Sequence, residues 1–293
     1  MLLTHFIKRW LPVVALLGAV AVVFAGRWLN ATKVGGQGPA EPFRIAGNLY
    51  YVGATDVAAF LITGPEGHVL LDGGYPTTAR LIIQSVAKLG FDIKDVKVLL
   101  NSEPHPDHGG GLAVLQQASG AQLWASDWSA DSLAHGGDDP DSFLPLRTLI
   151  WMGVLGYPAP RVDHRFKDGD TIRVGPIAMT AHVTPGHTRG CTSWSFPVHD
   201  GDRVLNVVSA CDLGVLASTT YPEQSADRER SIRVLRGLPA DIWVTCHARW
   251  WGRYRKFVAS TTAKNPVDAF IDPDGYRAYL DAAEVELREG RTH

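Results

Sequence analysis

The chain has little net charge. Its 28 Lys and Arg against 30 Asp and Glu leave −2 over 293 residues, so there is no electrostatic case for nucleic acid as a partner. Cysteine is scarce as well. Only Cys191, Cys211 and Cys246 are present, which excludes a disulfide scaffold and leaves at least one of them unpaired within a chain. A Cys191–Cys211 pair stays open, since nothing in the spacing supports or forbids it. Heptads, short repeats and low-complexity tracts beyond an N-terminal linker are absent. There is no G-x-S-x-G elbow. The one S-x-x-K string, "SVAK" at Ser85–Lys88, falls mid-helix with no S-D-N or K-T-G after it, so neither serine-nucleophile pattern is supported.

Apolar residues make up 45% of the chain, enough for a true core, and the length suits one large domain or two small halves sharing a core. The one long apolar run is N-terminal. Lys8 and Arg9 precede "LPVVALLGAVAVVFA", and Val23 and Ala25 satisfy the small-residue rule for a signal-peptidase cut before Gly26. The run is shorter than the roughly 20 residues of a spanning helix, so a signal peptide over 1–25 is expected, with an uncleaved anchor as the alternative. Residues 26–41 read as a flexible linker and 42–293 as one catalytic domain. Loss of Lys8 and Arg9 would move the formal charge from −2 to −4. Export implies a periplasmic, oxidising location where thiols tend to pair, with no membrane contact after cleavage.

From Asn48 onward, "NLYYV", "AAFLIT", "HVLLD", "VKVLL" and "AQLWA" read as short strands. "VKVLL" is nearly all apolar, as a strand buried on both faces should be. "PTTARLIIQSVAKLG" has helical spacing at Leu81, Ile82, Val86 and Leu89, ending at Gly90. "GGLAVLQQASG" and Asp127–His135 read as further helices, and 136–160 as a long irregular segment with an apolar centre. The second half repeats the theme. "TIRV", "IAMTAHV", "TSWSFPV", "RVLNVV" and "DIWVT" are strands; "EQSADRERSIRVLRGL" and "DPDGYRAYLDAAEVELREG" are helices. Two such halves predict an α/β layered sandwich, with two central sheets and helices outside.

The chemistry concentrates in "NSEPHPDHGGG", residues 101–111. Glu103, His105, Asp107 and His108 directly follow a buried strand. Pro104 and Pro106 argue against a helix there, and Gly109–Gly111 allow the backbone to crowd close. His187 in "TPGHTRG" and His247 in "WVTCHARWW" also stand at strand ends, where such folds place their chemistry. Zinc suits imidazole and carboxylate donors at roughly 2.0–2.2 Å. Six donors are too many for one tetrahedral ion and divide between two, about 3.5–4 Å apart.

These residues carry a resemblance. "SEPHPDHGGG" resembles the H-x-H-x-D-H signature of the metallo-β-lactamase superfamily with its first His replaced. "NLYYVG", "LITGPEGHVLLDGGYP", "LGFDIKDVKVLLNS", "TPGHTRGCTSW" and "DPDGYRAYLDAAE" together resemble subclass B3, over most of 42–289. The resemblance implies an αβ/βα four-layer sandwich of two mixed sheets flanked by helices. It also implies two zinc ions and the opening of a β-lactam ring by a metal-activated hydroxide, which would confer antibiotic resistance, in an enzyme expected to be monomeric. The first zinc would take Glu103, His105 and His187; the second would take Asp107, His108 and His247, with Asp107 orienting the attacking water. Glu103 in place of His adds a negative charge and implies a weaker first site; a Glu103 turned to solvent would leave only the second. Asp72 in "LLDGG" would steady a ligand imidazole from behind. In "SACDLG", Asp212 is a candidate further ligand or a supporting hydrogen-bond acceptor, and Cys211 an outside candidate. A lactonase or thioesterase on the same fold, or a non-catalytic exported zinc-binding protein, are the alternatives. Trp250 and Trp251 are expected in the core or a pocket wall. "LIWMGVLGYPAP" is expected to line a substrate groove or to pack on the sandwich edge. His135, His164, His182 and His199 are expected to be structural.

Overall fold

Strands β1 (Phe43–Ala46), β2 (Leu49–Tyr51), β3 (Phe60–Ile62), β4 (His68–Leu71), β5 (Val96–Leu100), β6 (Gln122–Ser126) and β7 (His164–Phe166) form one sheet in chain order. Its first four strands are antiparallel and the rest parallel. Strands β8 (Thr171–Val174), β9 (Ile177–Val183), β10 (Thr192–Asp200), β11 (Arg203–Ala210) and β12 (Ile242–Thr245) form the second, in the order β12-β11-β10-β9-β8, with only the β11–β12 pair parallel. The computed structural model describes Gly18 and residues 36–290. Gly18 apart, the expected signal peptide, its cut and linker residues 26–35 lie outside the described residues. Among those described, no helix is long and apolar enough to cross a membrane.

The period-2 alternation of a strand explains the two cores. Phe60, Ile62, Val69, Leu71, Val98 and Leu100 point into the space between the sheets, against Trp194, Val207 and Val208. Leu61, Leu70 and Leu99 point outward beneath helices α1 (Ala79–Lys88), α3 (Leu112–Ser119) and α4 (Asp127–Ala134). Both faces of β3–β5 are therefore buried, which is why they read as unbroken apolar runs. On the far side, α6 (Gln224–Arg236) and α8 (Pro273–Glu289) cover the second sheet. Tyr276, Leu280 and Ala283 of α8 face the core, and Arg236 bridges to Asp281 and Glu284. The result is the four-layer αβ/βα sandwich.

Several features differ from expectation. Residues 36–41 are tied down rather than free. Gly36 O accepts from Asp56 N at 3.0 Å, Gly38 O from Thr55 N at 2.9 Å, and Glu41 pairs with Lys88. The irregular segment contains a helix, α5 (Leu144–Trp151), pinned by Arg147 and the Trp151 indole to Asp138. Helix α7 (Arg253–Thr262) has no apolar stripe to announce it. Its buried face is Arg253, Lys256 and Ser260, with Arg253 over the Tyr51 ring and Lys256 over Trp243 and paired with Asp272. Strands β1 and β7, four and three residues long, carry too little pattern to read.

Cys191 and Cys211 form a disulfide, Cα atoms 5.9 Å apart, joining the end of the His187 turn to the residue after β11. It closes a loop with a sequence separation of 20, which in the chain-entropy account is worth about 3 kcal/mol. Reduction, or the Cys191→Ala/Cys211→Ala pair, is expected to lower Tm by about 6–12 °C for a domain of this size. Calorimetry with and without reductant measures it; a shift under 2 °C would rule out a stabilising role.

Candidate metal centre

The loop after β5 delivers the first donors. Glu103 is wholly buried, turned inward rather than to solvent. His105 caps a one-turn helix, α2 (Pro106–Gly109), which carries Asp107 and His108. The prolines do not prevent this helix: Pro106 sits at its first position, where a missing N–H costs nothing and φ is already helical. Close approach demands glycine at 111, where a Cβ would lie 2.1 Å from Gly73 O.

Three donor atoms form a tight triangle. Glu103 Oε2 is 2.6 Å from His105 Nδ1 and 3.1 Å from His187 Nε2, and those two nitrogens are 3.1 Å apart. A tetrahedral ion with bonds near 2.0 Å has donor–donor edges of about 3.3 Å. A second set lies beside it. His108 Nε2 is 3.3 Å and His247 Nε2 3.6 Å from Asp107 Oδ2. Glu103 Oε1 stands 3.6 Å from His108 Nε2, between the sets. Both Glu103 oxygens are buried without a well-aligned hydrogen-bond donor. A buried carboxylate ringed by imidazole nitrogens at these distances is a donor set that suits a divalent cation. The residues therefore fit zinc.

The electrostatics agree. Burial pushes the Glu103 carboxyl up, but His187 and His105 pull it well below the usual range. Burial lowers the His187 and His108 imidazoles, yet Glu103 with Asp212, and Asp107 with Glu103 and Asp72, lift each to about 10. Burial raises the Asp107 carboxyl, and His108 and His247 outweigh it, holding it ionised.

Ligand orientation comes from other elements. His187 Nδ1 bonds Gly214 O at 2.8 Å, and His247 Nδ1 bonds Asp56 Oδ2 at 3.2 Å. Asp56 also accepts from Arg249 N at 2.9 Å and from the Arg249 guanidinium. A lone aspartate in "GATDVAAF", 191 residues from its histidine, gives no local signal, and sequence reasoning passes over it. Asp56→Ala is expected to weaken the ion held by His247 10- to 100-fold, read by competition with a chromophoric chelator; affinity within threefold of the parent would show Asp56 to be inert.

Asp72 does not grip an imidazole. Both its oxygens hold Ser102, at 2.7 Å from the amide and 2.8 Å from the hydroxyl, bracing the backbone beside Glu103. Burial, against His108 and Ser102, raises its carboxyl to about 6. Cys211 is excluded as a donor because its sulfur is bonded to Cys191. Asp212 faces the cavity, its Oδ2 3.9 Å from His247 Nε2, while its Oδ1 accepts from Gly214 N at 2.7 Å. Helix α6 seats the loops that carry these groups. Gln224 Nε2, Arg228 Nε and Ser231 Oγ, spaced at i, i+4 and i+7, donate to the carbonyls of Gly186, Leu213 and Pro185 at 2.8, 2.8 and 2.7 Å.

The donors open into a cavity of about 880 Å3, walled by Tyr75, Leu146, Leu216, Arg249 and Trp250. Trp250 is thus a wall and Trp251 is core. Leu146 of α5 reaches the groove, whereas none of 149–160 lines it; Tyr157 of that stretch is core and donates to Pro104 O at 2.5 Å. None of His135, His164, His182 or His199 lines it; His182 bonds Ser195 and His164 stacks on Trp124.

Comparison with known proteins agrees with this geometry. Rm3 metallo-beta-lactamase superposes with a TM-score of 0.79 and 39% identity, covering 86% of this chain and 94% of that one. The class B3 di-zinc metallo-beta-lactamase LRA-12, from an Alaskan soil metagenome, gives 0.79 and 29%, covering 88% and 97%. Among curated sequences, the hydroxyacylglutathione hydrolase of Rhodopseudomonas palustris (strain BisB18) is 26% identical over 210 residues, 68% of each chain. That of Hyphomonas neptunium (strain ATCC 15444) is 22% identical over 187 residues, 64% of this chain, which spans only 60% of the relative's length. Residues 52–247 match the model of the metallo-beta-lactamase superfamily, and with two facing donor sets between two mixed sheets, the chain belongs to that superfamily.

Proposed function

We propose that this chain is a zinc-dependent β-lactam hydrolase in which Glu103, His105 and His187 hold one ion and Asp107, His108 and His247 the other. The buried Glu103 carboxylate, aimed with no aligned donor at three imidazoles, carries the metal assignment. The 39% identity to Rm3 over nearly its whole length supports β-lactams as substrates. Zinc, when bound, supplies a nucleophile at neutral pH and polarises a carbonyl. The protein supplies the rest. Asp107, kept ionised by its imidazole neighbours, orients the attacking water. Leu146, Leu216, Arg249 and Trp250 wall the cavity that a small substrate would enter.

Hydrolysis of a thioester is the second reading. Asp212 favours it by adding another carboxylate to the cavity, and the curated relatives named above are hydroxyacylglutathione hydrolases. Zinc-loaded protein is tested on a penicillin, a cephalosporin, a carbapenem and a hydroxyacylglutathione. Turnover of a β-lactam, lost with chelator and recovered with zinc, is the expected result. Turnover of the thioester alone would replace the first reading with the second. Inertness towards all four, with zinc bound, would leave a zinc-binding protein.

A further inference from the structure

We propose that the thiol of Cys246 is an additional donor to the cation in the second position, joining Asp107, His108 and His247 from beneath the cavity floor. This rests on the metal reading above and deepens it. Cys246 ends β12 and immediately precedes His247. It is the free cysteine of the chain, since Cys191 and Cys211 are bonded to each other. Its sulfur and one ring nitrogen each of His108 and His247 lie within 4.8 Å of one another. Cys246 and His108 are each 1% exposed, and His108 Nδ1 has no hydrogen-bond partner among the described residues.

A buried cysteine is most often a small apolar filler. This one stands beside a ring nitrogen of each of two imidazoles. A divalent cation bound among these three atoms would convert the thiol into a thiolate donor. As the metal–sulfur bond forms, the S–H proton leaves to solvent and no electron is transferred. With bonds near 2.3 Å to sulfur and 2.0 Å to nitrogen, the tetrahedral sulfur–nitrogen edge is about 3.5 Å, so the three atoms contract by up to about 1.3 Å on loading. Sulfur is a soft donor, and the position should therefore favour thiophilic divalent ions.

Cobalt(II) reads this directly. The full chain, purified metal-free without reductant, is titrated with Co2+ alone to two equivalents. The expected spectrum combines visible ligand-field bands with an intense near-ultraviolet thiolate-to-cobalt band. Cys246→Ser should abolish the second and keep the first. Ligand-field bands without the thiolate band in the parent would overturn the sulfur assignment and leave the two-metal reading standing. Persistence of the thiolate band in Cys246→Ser would overturn it too. Failure to take up any cobalt would sink both. Cadmium NMR of the unmutated protein gives a reading that needs no variant: a resonance in the thiolate-ligated range is expected, and one confined to the nitrogen and oxygen range would refute the proposal.

Discussion

Asp107→Asn is expected to cut turnover by about 10²- to 10³-fold, the range of a lost charge-positioning group at a reacting centre. The substitution keeps the shape of the side chain and removes its charge. In the parent, Asp107 Oδ2 lies 3.3 Å from His108 Nε2 and 3.6 Å from His247 Nε2, so the carboxylate faces both imidazoles of the second set. An amide there brings no charge to a cation and is a poorer acceptor for the water's hydrogen bond. It also leaves His108 with less of the negative charge that lifts its imidazole. The loss should appear in kcat at full zinc occupancy, established by elemental analysis of the same sample. Activity within threefold of the parent, with both ions retained, would remove Asp107 from the chemistry.

Zinc affinity should climb steeply with pH. In the metal-free protein, Glu103 and Asp107 and their neighbours lift His187 and His108 to about 10, and both imidazoles must be deprotonated to bind metal. Each ion displaces one of these protons, so the affinity of each site is expected to rise at least about tenfold per unit between pH 7 and 9. Competition against a calibrated chelator at pH 7, 8 and 9 measures the slope; a pH-independent affinity would contradict the charged cluster. The same shifts fix the sign for the metal-free fold. Both imidazoles have pKa values raised above the unfolded value of about 6.5. Their contribution is fully present below pH 6.5 and is lost as pH rises towards 10. Chelated protein should therefore melt lower at pH 9 than at pH 6, and zinc should reverse that order.

The framework is legible in the sequence where burial imposes a period. The apolar runs of β3–β5, the helical spacing of α1 and α8 and the left-handed Gly120 closing α3 all follow from local patterning. Helix α7 escapes because its inward residues are Arg253 and Lys256, whose charges are satisfied by partners far along the chain. Helix α2 escapes because proline in a short motif reads as a breaker, although at the first helical position it is a starter. In the metal centre, the motif and the strand ends name residues that the fold brings into one cavity. Asp56 and Cys246 are invisible at that level. Each acts through distance in space rather than spacing in sequence: Asp56 reaches His247 from the β2–β3 connection, and Cys246 reaches His108 across the two sheets.

The stripe of Gln224, Arg228 and Ser231 ends on main-chain oxygens. Any residue type offers a main-chain oxygen. The loops carrying His187 and Asp212 are thus seated without reference to the side chains between them. Leu216 and Ser218 line the cavity from this region but take no part in that anchoring. The floor and the wall of the cavity can consequently drift apart in evolution. Substrate preference can be rewritten at 215–218 while the ligands stay where they are, which gives such a scaffold its latitude for new chemistry.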